Sequence, residues 1–241
     1  MADPVIRVTG VTQRFGRRTI YHDVTFDVTA GEVFVILGGS GCGKSTLMRQ
    51  MVGLLPPVSG SVQVLGRDMY AARGDVLTHI GVMFQSGALF GSMTLLENVM
   101  LPLEMHSSLP AAARQQIARV KLGLVGLADA ETLMPAEVSG GMAKRAAIAR
   151  AMALDPPVLF LDEPSAGLDP ITSAGLDRLI LKLREELGIT FVVVTHELAS
   201  IMAIADRCIM LDRAAEGVLA QRLLLARGIA SVGGDGMSGD V

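Results

Sequence analysis

Hydrophobic residues fall into two rhythms along this chain. Between residues 5 and 37, "VIRVTGV", "TFDV" and "EVFVIL" are short β-type runs separated by polar and glycine-containing turns such as "TAGE". The next apolar residues, in "LMRQMVGLL", recur at helical spacing from about Ser45. "PPVSGSVQVLG" then reads as a turn and a strand, and "IGVMFQ", residues 80–85, as a buried strand ending in Gln85. From about residue 87 to 154 the pattern is helical. "PAAARQQIARVKLGLV" places Pro110 at a first helical position, with Ile117, Val120 and Leu124 on one face, and "GGMAKRAAIARAMAL" is a second, alanine-rich helix. Strand signals return at "VLFL" and "FVVV", with a helix at about 171–187 between them. Strands alternating with helices predict a doubly wound α/β core, interrupted by a helical insertion. The final stretch, "SVGGDGMSGDV", is glycine-rich and aperiodic, so disorder is expected after about residue 228.

At 241 residues, half of them hydrophobic, the chain is long enough for a full core, and one domain with subdomains is the natural expectation. The net charge of −3 argues against a nucleic-acid partner held by a broad basic field. Two cysteines, Cys42 and Cys208, make neither a disulfide framework nor a metal-ligand cluster, which favours a reduced, cytosolic setting. "MADPVIRVTG" has an acid and a proline where a secretion signal needs a basic start and an apolar run, so no such signal is expected. No window supplies the roughly 20 apolar residues of a spanning helix, so any action on a membrane must pass through a partner.

The candidate chemistry begins at "GGSGCGKST", residues 38–46, between the strand "VFVIL" and the helix. Gly38 through Gly43 to Lys44 and Ser45 fits G-x-x-x-x-G-K-[ST], in which main-chain N–H groups and a helix N-terminus cradle phosphates. Gly38, Gly39, Ser40, Gly41, Cys42, Gly43, Lys44, Ser45 and Thr46 are therefore candidate nucleotide contacts. Lys44 would meet the β- and γ-phosphates, and Ser45 would meet Mg²⁺. A second motif, "PVLFLDEP", ends an apolar strand in two acids, where an open α/β sheet presents ligands. Asp162 would hold the Mg²⁺ shell and Glu163 would act as general base toward water attacking the γ-phosphate.

The order of phosphate loop, "FQSGALF", "VSGGM", "VLFLDEPSAGLDP" and "VVVTHEL" resembles the nucleotide-binding subunit of ATP-binding-cassette (ABC) transporters, up to about residue 213. That resemblance implies a RecA-like P-loop NTPase core over residues 1–228, with an N-terminal antiparallel β subdomain and an α-helical subdomain inserted at about 87–154; the flexible tail, 229–241, is read from its glycine-rich, aperiodic composition. It implies ATP and Mg²⁺ as cofactors and a homodimer sandwiching two ATP molecules head to tail. In that arrangement Ser139, Gly140, Gly141 and Met142, the signature at a helix N-terminus, act on the partner's γ-phosphate through unsatisfied N–H groups. Gln85 resembles the family's metal- and water-sensing glutamine, His196 its switch histidine at the γ-phosphate, and Asp169 the residue linking the two sites. Phe15 would stack on adenine, with Tyr21 as its rival.

Val138 and Met142 replace the commoner leucine and glutamine of the signature. "FQSGALF" together with "SGGMAKRAAIARA" is similar to the ATPases of Mla-type phospholipid transporters that work with mammalian-cell-entry (MCE) proteins. The resemblance implies an integral-membrane permease and an MCE-domain partner, no nucleic acid, and a peripheral place on the cytoplasmic face of the inner membrane. An ABC ATPase for another small solute, or a soluble non-transport ABC ATPase, are the alternatives. The segment 88–93, apolar with a methionine, would suit a groove for a permease helix or ordinary core.

Overall fold

Strand alternation divides the buried side chains between two cores. In the computed structural model, which describes residues 4–213 and 219–225, Phe34, Ile36, Val158, Phe160, Val192 and Val194 enter one core, whereas Val33, Val35, Leu159, Leu161, Phe191 and Val193 enter the other. Successive residues of a strand face opposite ways, so strands covered on both faces must be apolar throughout. This accounts for the unbroken runs of the sequence.

The chain starts with an antiparallel hairpin of β1 (Ile6–Phe15) and β2 (Arg18–Val28). Both strands are longer than their apolar runs because cross-strand pairs such as Gln13 with Tyr21 and Phe15 with Arg18 extend the ladder through polar sequence. There follow β3 (Val33–Gly38), α1 (Lys44–Met51), β4 (Ser59–Val64), β5 (Arg67–Asp68), α2 (Arg73–Leu77) and β6 (Ile80–Met83). The helices α3 (Leu95–His106), α4 (Ala111–Leu124) and α5 (Gly140–Ala151) form the insertion. The chain returns through β7 (Val158–Asp162), α6 (Pro170–Leu187), β8 (Thr190–Val194), α7 (Leu198–Ile204), β9 (Arg207–Arg213) and β10 (Leu219–Leu225). A four-stranded sheet runs β2-β1-β4-β5 and a six-stranded sheet β10-β9-β3-β8-β7-β6, parallel except for β10. The glycine-rich tail, residues 229–241, lies outside the described residues.

Three expectations change. Pro110 is the N-cap of α4 rather than its first residue. Ile117 and Leu124 of α4 pack against the core as partly buried residues beside the buried Ala118, Lys121 and Leu122, but Val120 is 52% exposed. The reason is that Lys121 reaches the Asp155 carboxylate, so its long aliphatic stem packs inward while its charge is paired. Strand β6 stops at Met83, and Gln85 lies in the loop beyond.

Asn98, fully buried on α3, organises that loop. Its Oδ1 accepts from the Phe90 N–H at 2.8 Å, and its Nδ2 donates to the carbonyls of Phe90, Met93 and Thr94 at 3.1, 3.1 and 3.0 Å. Asn98→Ala is expected to lower unfolding free energy by about 2–3 kcal/mol, because buried main-chain groups lose their partner. Urea titration of parent and variant measures it, and an unchanged midpoint would contradict this role.

Candidate functional site

The phosphate-type loop is shaped by two close approaches. A Cβ on Gly38 would stand 2.3 Å from the Leu211 carbonyl oxygen and 2.7 Å from Cys42 Sγ. One on Gly43, where φ is +102°, would stand 2.6 Å from the Ile20 side chain. Only glycine fits either place. The Lys44 side chain, 7% exposed, turns back over this loop and donates from Nζ to the carbonyls of Gly38 at 2.8 Å and Gly39 at 3.2 Å. Gly43 is the N-cap of α1 and offers no side chain to the first turn, which leaves the helix N–H groups directed at the loop.

Sheet register brings three further segments to the same edge. Ile36 pairs with Val194, Val194 with Asp162, and Leu161 with Met83, so the C-terminal ends of β3, β8, β7 and β6 align. The residues following them meet. Ser45 Oγ donates to Asp162 Oδ1 at 3.3 Å, linking the loop to β7. Burial pushes the Asp162 carboxyl above its ordinary range; the Ser45 hydroxyl, Arg49 and Lys44 oppose that shift, and the neighbouring Glu163 charge adds to it.

Glu163 holds a left-handed backbone, φ +47°, with its N–H bonded to the Val194 carbonyl at 2.8 Å. Such a conformation is unfavourable for a residue with a Cβ and persists only where the surroundings impose it. It turns the carboxylate off the strand to meet Gln85 Nε2 at 3.4 Å and His196 Nδ1 at 3.1 Å.

Together these groups line an open cleft of about 680 Å³ whose wall includes Gly39, Ser40, Gly41, Gly43, Lys44, Ser45, Thr46, Gln85, Glu163 and His196. Arg18 and Ile20, which sequence reasoning missed, also line it, Ile20 lying beside Gly43. Phe15 is half-exposed opposite Arg18 in the hairpin register and is not in the cleft wall. Its rival Tyr21 is fully buried, its hydroxyl donating to Gln50 Oε1 at 2.6 Å, which rules out stacking on a ligand. Cys42 is buried in the core below the loop, so only its main chain can face a ligand.

A sequence profile described as ABC transporter matches residues 21–166. The chain belongs to the ABC transporter family. It is 42% identical over 212 residues to the probable ribonucleotide transport ATP-binding protein Mkl of Mycobacterium leprae, covering 86% of this chain and 61% of the relative. The chain thus spans about three fifths of that relative's length. It is 40% identical over 210 residues to the intermembrane phospholipid transport system ATP-binding protein MlaF of Haemophilus influenzae, covering 86% of this chain and 80% of MlaF. Among solved structures, the dimeric post-hydrolysis state of the ATP-binding cassette MJ0796 bound to ADP and Pi superposes with a TM-score of 0.80 at 31% identity, covering 92% of this chain and 99% of that one.

The segment 139–142 lies apart from this cleft. Ser139 caps α5, its Oγ accepting from the Met142 N–H at 3.3 Å, and Gly140 and Gly141 form the first turn. None of Ser139, Gly140, Gly141 or Met142 lines the cleft that holds Lys44. Asp169 caps α6 by accepting from the N–H groups of Ile171 and Thr172, both at 3.0 Å. The Thr172 hydroxyl and these N–H groups hold its carboxyl below the ordinary range. Segment 88–93 is mostly surface: Ala88, Phe90, Gly91 and Ser92 are exposed. No helix among the described residues is long and apolar enough to cross a membrane.

Proposed function

We propose that the protein is the ATP-hydrolysing subunit of an ABC transporter that moves phospholipid through a separate permease with an MCE-domain partner. The observation that carries the ATPase reading is the convergence of Glu163, Gln85 and His196 on the cleft walled by the phosphate loop. ATP lies with its phosphates on residues 39–46 and its base toward Arg18 and Ile20, Phe15 flanking that end. Lys44 exchanges its loop carbonyls for phosphate oxygens.

Ser45, Asp162 and Gln85 would hold Mg²⁺. The fit rests on the part-buried Ser45–Asp162 pair, an oxygen donor set of the hard kind that Mg²⁺ takes. The ion would neutralise charge on the phosphates. Gln85 positions the attacking water, and Glu163 takes its proton as the new oxygen–phosphorus bond forms. The bond to the β–γ bridging oxygen breaks, leaving ADP and phosphate. His196 contacts the γ-phosphate and steadies Glu163. Ser139, Gly140, Gly141 and Met142 act on a second copy's ATP in a head-to-tail dimer, which their absence from the wall of their own cleft supports, and Asp169 links the two sites. The ATPase sits peripherally on the cytoplasmic face of the inner membrane.

Similarity to MlaF supports phospholipid as cargo, while similarity to Mkl supports a ribonucleotide or other small solute as the second reading. Mass spectrometry of proteins and lipids captured with tagged Glu163→Gln from gently solubilised native membranes separates them. A permease with an MCE-domain protein and bound phospholipid is the expected recovery. A different permease, or none, would overturn the lipid assignment and leave the ATPase in place.

A further inference from the structure

The loop that carries Gln85 is fastened to the signature helix of its own chain. The Lys144 ammonium, in the second turn of α5, donates to the Gln85 main-chain carbonyl. Under two helical turns further on, Arg150 donates from Nη1 to the Ala88 carbonyl at 2.6 Å and from Nη2 to the Gly87 carbonyl at 3.5 Å. Its guanidinium carbon lies 5.9 Å from the centre of the Phe90 ring. Ala88 has a left-handed backbone, φ +49°, so the turn those cations grip departs from relaxed geometry. Two cations of one helix thus hold three carbonyls of one loop.

Both cations are partly withdrawn from water: burial pushes the pKa of each downward, and for Lys144 the nearby Glu163 and Asp162 carboxylates oppose that shift. Withdrawing a cation from water is unfavourable unless carbonyls or carboxylates replace the water. The contacts are therefore strong, charge-assisted ones.

Their geometric consequence falls on Gln85. The orientation of its carbonyl fixes the backbone from which its side chain starts, and that side chain ends 3.4 Å from Glu163. We infer that Lys144 is a positioning residue for hydrolysis: with Arg150 as second anchor, it ties the Gln85 loop to α5 and so fixes the Gln85 amide against Glu163. This rests on the ATPase reading above.

The test is a double-mutant cycle on the full chain, measuring steady-state ATP hydrolysis with Lys144→Met, Gln85→Ala, the two combined, and Lys144→Arg. Lys144→Met is expected to lower kcat about tenfold or more, with KM for ATP and the thermal transition close to the parent, because misplacement by an ångström costs up to roughly 10²-fold. In the Gln85→Ala background the same change should cost almost nothing, since a positioning residue has nothing left to position. Lys144→Arg, which keeps the donor and charge, should recover most of the rate. Additive losses, a loss confined to KM, or a parent-like kcat in Lys144→Met would overturn the inference. Glu163→Gln assayed alongside separates the two ideas: parent-like turnover there sinks the ATPase reading and this inference with it, whereas a slowed Glu163→Gln beside an additive cycle sinks this inference alone.

Discussion

Glu163→Gln is expected to slow ATP hydrolysis by roughly 10²–10⁴-fold while ATP still binds, the usual worth of a general base. At 1.36 kcal/mol per decade, that is about 3–5 kcal/mol of transition-state stabilisation. The amide has the size of the carboxylate and can occupy the same place between Gln85 and His196, so the cleft keeps its shape. Only the capacity to take a proton is removed. Single-turnover hydrolysis with bound radiolabelled ATP measures the step directly. Hydrolysis at the parent rate would remove Glu163 from the role of base and leave its left-handed backbone without a catalytic reason.

Lys44→Ala acts on the other half of the site, and its effect is expected in binding. Lys44 is nearly buried and bonded to the Gly38 and Gly39 carbonyls, so its ammonium is already desolvated and held where the phosphates arrive. Removing it should weaken ATP binding by roughly 10²-fold or more, equivalent to about 3 kcal/mol, the scale for deleting one partner of a buried, hydrogen-bonded charge pair. Equilibrium titration with a fluorescent ATP analogue reads this, with circular dichroism to establish that the variant is folded. Retained tight binding would count against phosphate recognition by residues 38–46. The two variants therefore dissociate binding from chemistry: one should bind without turning over, and the other should fail before turnover begins.

The limits of pattern reading are visible at particular residues. Phe15 and Tyr21 are both aromatic residues of one hairpin, and nothing in their spacing tells them apart. Packing does, because Tyr21 is sealed in the core against Gln50. On α4 the apolar Val120 faces outward and the charged Lys121 inward, because a carboxylate at Asp155 pairs the lysine, while Ile117 and Leu124 pack against the core as their spacing predicts. Asn98, Lys144 and Arg150 had no signal beyond being polar residues in helical segments. Their partners are main-chain carbonyls and N–H groups of the loop 85–94, which carry no side-chain identity to detect. Arg18 and Ile20 enter the cleft only because the hairpin folds over the loop.

What the sequence determined by itself was whatever depends on neighbouring residues: the strand, glycine loop and helix of residues 33–51, the apolar runs that must be buried strands, and the order of motifs that marks an ABC cassette. Those features arise from backbone torsion, steric room and burial over a few consecutive residues. What only the tertiary structure decided was which distant groups meet. Gln85, Glu163 and His196 come from three different segments, and their convergence depends on β6, β7 and β8 lying side by side in parallel register. Parallel pairing aligns the strand ends at one edge of the sheet, and that alignment is a property of the folded sheet that no single strand possesses.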